Sequence, residues 1–181
     1  MKSVSTIKFV ECPRDAMQGW EHFIPTEQKI AYINSLLNVG FDTIDFGSFV
    51  SPKAIPQMAD TKEVLKGLKL ERTTSKLLAI AANKRGVDEA VVFDEINVVG
   101  YPFSVSETFQ KRNSNATIAE SFDQLNDIIE TTDKHKKELV VYLSMGFGNP
   151  YGDLYHEDIV LQWAEKLVQS GLSIISLACK K

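Results

Sequence analysis

Cys12-Pro13-Arg14-Asp15-Ala16-Met17-Gln18 is the stretch on which the fold turns. It follows the first apolar run, Thr6 to Glu11, and reaches no glycine until Gly19. A dinucleotide-binding doubly wound sheet needs a glycine-rich turn at this point, where backbone closes on a pyrophosphate. A polar turn with Arg14 and Asp15 suits instead the rim of a parallel barrel, where the loops after the strands hold the chemistry.

Outward from that turn, strand and helix alternate. Pro25 opens a helix with Ile30, Ile33, Leu36 and Leu37 at helical spacing and Gly40 as its stop. Phe41 to Phe46 reads as the second strand, Met58 to Leu68 as a helix, and Ser75 to Ala81 as the third strand. A short helix over Asn83 to Asp88 leads to Ala90-Val91-Val92-Phe93, read as the fourth strand, although so short an apolar run also suits the end of that helix. Gly100 and Pro102 then mark a loop. Thr117 and Glu120 form a capping box for a long helix with Ile118, Phe122, Leu125, Ile128 and Ile129 on its apolar face. Leu139 to Leu143 is the fifth strand, Glu157 to Ser170 the fifth helix, and Leu172 to Leu177 the sixth strand.

Parallel neighbours need a crossover, usually a helix, so this alternation predicts an α/β fold with a parallel sheet. A barrel of eight units takes about 250 residues, roughly 31 per unit, so 181 residues amount to about 5.8 units. The expected fold class is therefore α/β, a (β/α)8 TIM barrel with six βα strands present and the last two units missing. Residues 1–181 would form a single, incomplete barrel catalytic domain.

Composition narrows the function. Apolar residues make up 44% and charged residues 24%, enough for a globular core. Ten glycines and six prolines are too few for a collagen-like or low-complexity chain. A net charge of −4 argues against a nucleic-acid partner, which needs clustered Lys and Arg. No apolar run reaches the ~20 residues of a membrane span, and Met1 to Thr6 lacks the apolar core of a signal peptide. Cys12 and Cys179 make no disulfide framework, Cys12 reads as a packed thiol, and a cytoplasmic setting follows as the expectation.

Polar residues gather at strand ends: Arg14 and Asp15, Asp45 and Ser48, Asn83, Glu107 and Asn113, Asn149, and Ser176. The adjacent Arg14-Asp15 pair supports two readings. The carboxylate can hold a divalent cation while the guanidinium neutralises an oxyanion, or the two can simply brace the loop as an ion pair. Asp45 is a base, a supporting group or a turn cap. Gly146 to Gly152 lacks the Lys-Ser/Thr of a phosphate loop and reads as a turn.

Phe9 to Gln18 resembles the first-strand signature of the hydroxymethylglutaryl-coenzyme A lyases, a PRDG[LM]Q-like run. Ser48-Phe49-Val50-Ser51-Pro52-Lys53-Ala54-Ile55-Pro56-Gln57-Met58 is similar to that family's SFVSPK-x-x-PQM loop nearly letter for letter. The resemblance implies a metal-dependent retro-Claisen lyase that cleaves 3-hydroxy-3-methylglutaryl-CoA to acetyl-CoA and acetoacetate, in leucine degradation. It assigns Asp15 to the divalent metal, Mg2+ or Mn2+, Arg14 to the thioester carbonyl and enolate, and Asp45 to a catalytic position usually held by glutamate. Gln18, Ser48 and Ser176, with Arg14, match substrate-binding positions. The implied partner is the substrate, with a homodimer as the expected assembly and no nucleic acid or membrane.

The departures are specific. Ala16 replaces a glycine of the first motif, and Glu21 replaces a lysine of the first loop. Cys179 stands where the family has an aspartate after the sixth strand, and the family's His-x-His pair and catalytic-cysteine loop have no counterpart before Lys181. His22, His135 and His156 are not at ligand spacing. Two alternatives stand beside the lyase: a non-catalytic fragment of one, expected to be unstable or to aggregate because its outer strands lack partners, and a related Claisen-type synthase acting on isopropylmalate or homocitrate.

Overall fold

A computed structural model describes residues 7–179, so Thr6 of the first predicted strand lies outside it. The chain forms two compact units that divide between Ala79 and Ile80.

In the first unit β1 (Val10–Glu11) pairs in parallel with β2 (Thr43–Ser48), Val10 opposite Thr43 and Glu11 opposite Ile44. The third strand, β3 (Lys76–Ile80), neighbours β2 and runs through the division, its last residue being the first of the second unit. All six residues of β2 are buried, as in a parallel strand covered on both faces. The polar turn after β1 is not an open loop but a short helix, α1 (Pro13–Gln18), with proline in its first turn, where a missing N–H costs nothing. Next, α2 (Thr26–Leu37) buries Lys29, Ile33 and Leu37 along one stripe and is followed by Gly40 at φ +91°. The predicted helix from Met58 is in fact a 3-10 turn over Pro56–Met58 followed by α3 (Thr61–Lys66). Gly47 of β2 faces Thr61 so closely that a Cβ there would lie 2.5 Å from the threonine Cγ2.

The second unit begins with α4 (Lys84–Ala90), whose N-cap Asn83 accepts from the Gly86 N–H at 2.9 Å. The predicted fourth strand over Ala90–Phe93 is therefore the end of this helix: the Val91 N–H donates to the Val87 carbonyl, and Val87 and Ala90 are buried from the helical face. The strand comes later, as β4 (Ile96–Ser104), through Gly100 and Pro102. Pro102 gives up one ladder donor, but Val98, Val99, Tyr101 and Phe103 around it are all buried, and their burial outweighs that loss. A helix unforeseen in the sequence, α5 (Glu107–Ser114), follows under the N-cap of Ser106.

The Thr117–Glu120 capping box is present, but the long helix is two, α6 (Ile118–Asp123) and α7 (Leu125–Lys134), meeting at Gln124. Strands β5 (Glu138–Ser144) and β6 (Ile174–Ala178) extend β4 in parallel, with α8 (Glu157–Gln169) between them. Phe103 and Phe122 pack edge-on against Trp163 at centroid distances of 5.2 and 5.6 Å, the aromatic centre of this unit's core.

Candidate functional site

The site lies in the first unit, where β1 hands the chain to α1. Arg14 and Gln18 are four apart on α1, and Asp15 and Gln18 three apart, so the three share one side of the helix. Their polar ends meet: the Arg14 Nη1 donates to Gln18 Oε1 at 2.8 Å and to Asp15 Oδ1 at 3.2 Å, and Gln18 Nε2 donates to Asp15 Oδ1 at 2.8 Å. The other edge of the guanidinium faces β2. Nε lies 3.1 Å from both Asp45 oxygens, and Nη2 donates to Asp45 Oδ2 at 2.5 Å. One arginine thus bridges two carboxylates in a fork geometry that an ammonium could not reproduce.

The two carboxylates differ in surroundings. Asp45 is 1% exposed, whereas the Asp15 side chain is 65% exposed. Burial pushes the Asp45 carboxyl above the usual carboxylate range, against the pull of Arg14. Cys12, the residue before α1, is exposed rather than packed. Desolvation of its sulfur, with Asp45, Asp15 and Glu11 nearby, still pushes the thiol up to about 11, so it is protonated at neutral pH.

Asp15 offers one accessible carboxylate oxygen to a cation, while Asp45 is occupied by Arg14. Among the described residues no group of three His, Cys, Asp or Glu side chains is arranged to hold a metal ion. The described residues therefore fit one ligand of a divalent ion and not a coordination shell. Ser48 is buried at the end of β2; its hydroxyl accepts from the Val50 N–H at 3.2 Å, shaping the turn there. Ser176 sits half-buried on β6 in the second unit, opposite Tyr142.

Sequence reasoning missed the support beneath the site. Gln57, 4% exposed, accepts from the Ile24 N–H at 2.8 Å and donates to the His22 and Trp20 carbonyls at 2.9 and 3.3 Å. Its own carbonyl accepts from Lys29 Nζ, which also pairs with Asp60 at 2.7 Å; the second Asp60 oxygen takes the Thr26 hydroxyl at 2.7 Å. One signal was present: Lys29 falls on the apolar stripe of α2, where a lysine is buried only with partners.

The remaining strand-end residues serve their own loops. Glu107 accepts from the Ile118 N–H at 3.1 Å, and Asn113 is exposed on α5. Asn149 closes the turn after β5 by accepting from the Tyr151 and Asp153 N–H groups. His135 and His156 flank helix ends, exposed.

The HMGL-like family model matches residues 7–179. The chain is 35% identical over 174 residues to the mitochondrial hydroxymethylglutaryl-CoA lyase of Mus musculus, covering 94% of this chain and 52% of that protein. A crystal structure of the HMG-CoA lyase of Bacillus subtilis aligns with a TM-score of 0.88 at 32% identity, over 94% of this chain and 57% of that one. An HMG-CoA lyase of Acinetobacter baumannii, in complex with coenzyme A and 3-methylmalate, aligns with a TM-score of 0.87 at 32% identity, over 94% of this chain and 55% of that one. The chain spans about half the length of the curated relatives it matches. Its six strands and their helices follow the fold of these lyases, the barrel class expected from the alternation. With the family pattern running through all but the ends of the sequence, the chain belongs to the HMGL-like family.

Proposed function

We propose that this chain carries the thioester-side part of a hydroxymethylglutaryl-CoA lyase site, taking 3-hydroxy-3-methylglutaryl-CoA as substrate. The observation that carries the reading is the Arg14 guanidinium, fixed by Asp45 on one edge and turned toward exposed Asp15 on the other. In the cleavage the 3-hydroxyl loses its proton and its oxygen forms the ketone of acetoacetate. The C2–C3 bond breaks, its electron pair moves into an enolate of acetyl-CoA, and C2 then takes a proton. Negative charge builds on the thioester oxygen, and a preplaced guanidinium stabilises it more than it stabilises the neutral thioester.

Asp45 acts by holding Arg14 in plane, and Gln18 steadies both Arg14 and Asp15. A divalent ion, Mg2+ or Mn2+, with Asp15 as one ligand would supply Lewis-acid stabilisation of the substrate oxygens when bound. The family resemblance to lyases named for this reaction supports the same substrate.

Acetoacetate release from the CoA ester tests the reading, with Mg2+ and then with EDTA. Turnover should be EDTA-sensitive and fall at least about a hundredfold in Arg14→Lys, which keeps the charge but loses the fork. An Arg14→Lys protein as active as the parent would refute the assignment of Arg14. That the described residues offer one metal ligand and no coordination shell favours a second outcome, binding without turnover. Calorimetry would then show the CoA thioester binding to a chain that releases no acetoacetate.

A further inference from the structure

We infer that Gln57 is a positioning residue for the Arg14 cluster, clamping the loop after α1 so that the short helix cannot shift. The inference rests on the lyase reading only for what the cluster does; the clamp itself is a matter of geometry. A helix of six residues cannot hold its own position, because nucleation costs more than one turn of hydrogen bonds returns. At its start α1 is tied to β1; at its end the chain runs out through Gly19 into the segment 19–25. Three backbone groups of that segment, the Trp20 and His22 carbonyls and the Ile24 N–H, end on the one Gln57 side chain.

Gln57 is in turn fixed from behind. Lys29 Nζ bonds to the Gln57 carbonyl and pairs with Asp60, whose other oxygen is taken by Thr26. Lys29 also stands over the Phe23 ring at 4.1 Å, so the same lysine touches the segment that Gln57 clamps. Among the described residues no buried side-chain polar atom lacks a partner. An apolar side chain at 57 would leave three backbone groups without that partner, whereas the closed polar network specifies one geometry for them. Here the specified geometry is the exit of the helix that carries Arg14, Asp15 and Gln18.

Cys12 reports on that geometry without any need for turnover. Its thiol lies at the N-terminus of α1 beside the cluster. Alkylation by iodoacetamide, followed by peptide mass spectrometry across pH, would be compared in the full chain, Gln57→Leu and Gln57→Asn, with Cys179 as the internal standard. Leu37→Ala, a buried change on α2, controls for general destabilisation. If the clamp positions α1, its loss in folded Gln57→Leu moves the Cys12 sulfur away from the groups that raise its pKa, and the thiol reacts about tenfold faster at pH 8, one unit of thiol pKa. Cys179 and the Leu37→Ala protein stay at parental rates. Should Gln57→Leu fail to fold, Gln57→Asn, one methylene shorter, should show the same shift in smaller degree. A parental Cys12 profile in either folded variant overturns the inference. Because the readout is chemical labelling, an inactive chain leaves it intact, and failure of the lyase reading is seen separately in the acetoacetate assay.

Discussion

Asp45 in the first unit and Asp153 in the second are both carboxylates held by several hydrogen bonds, yet they respond to their surroundings in opposite directions. Asp45 is buried on β2 and faces one cation, Arg14; desolvation dominates and raises its pKa. Asp153 sits in the turn after β5 and meets neutral donors: the Ser106 hydroxyl at 2.5 Å, the Thr108 N–H at 2.9 Å and the Thr108 hydroxyl at 2.8 Å. Those donors favour its charged form and hold it below the ordinary carboxylate range. The contrast separates a buried carboxylate that relies on one cation from one that neutral donors satisfy. Asp153 caps the start of α5 from outside the helix and is satisfied there. Asp45 depends on a single partner that itself reaches toward an exposed carboxylate, the arrangement expected where charge must be managed rather than merely settled.

The largest effect should come from removing that single partner. Arg14→Met leaves Asp45 buried without a counter-ion, and breaking such a pair typically costs about 3–5 kcal/mol. The low end applies here, because Asp45 can take up a proton. An acid whose folded pKa is raised destabilises the fold as pH rises from its unfolded value, about 4, through the folded one. The deficit of Arg14→Met, measured by urea unfolding, should therefore be largest at pH 7 and shrink toward pH 4. An equal deficit at both values would mean that Arg14 contributes packing and not charge.

The corresponding change in the second unit should be smaller and nearly independent of pH above 5. Ser106 is fully buried, accepts from the Phe109 N–H at 3.1 Å and donates to Asp153. Ser106→Ala removes an N-cap and should cost about 1–2 kcal/mol. A deficit as large as that of Arg14→Met would erase the distinction between the two carboxylates.

How much of this was readable in the sequence follows the same division between local and long-range causes. The apolar stripe of α2, the Thr117–Glu120 box and the strand at Leu139 depend on neighbours within a few residues, and they were legible. β4 was not: Gly100 and Pro102 look like breakers, and only burial of the residues around them keeps the chain extended. The apolar Ala90–Phe93 run was ambiguous for the reason that made it misleading, since a buried helix end and a short strand share a composition. Arg14, Asp15, Gln18 and Asp45 were singled out because strand ends and a recognisable motif mark them, and the structure brings their polar ends together. Gln57 lay within a quoted motif but its hydrogen bonds were hidden, because its partners are backbone groups 33 to 37 residues away. Side-chain identity carries no record of which distant carbonyl it will meet.

The smallest effect is the sharpest test, because the two carboxylates should respond to acid with opposite signs. For Asp153 the depressed pKa means stability that is present above the unfolded value and lost as pH falls through the folded one. For Asp45 the raised pKa means that acidification relieves a buried charge. Hydrogen exchange compared at pH 6 and pH 3, corrected for intrinsic rates, reads each site through its own amides. Protection of Thr108 and Phe109, which bond to Asp153 and Ser106, should drop at pH 3. Protection of Ala16, whose N–H donates to the Cys12 carbonyl in α1, should hold or rise. A parallel loss at all three amides would show that acid acts on the chain as a whole, and that the difference between a carboxylate paired with a cation and one cradled by hydroxyls has no consequence for its stability.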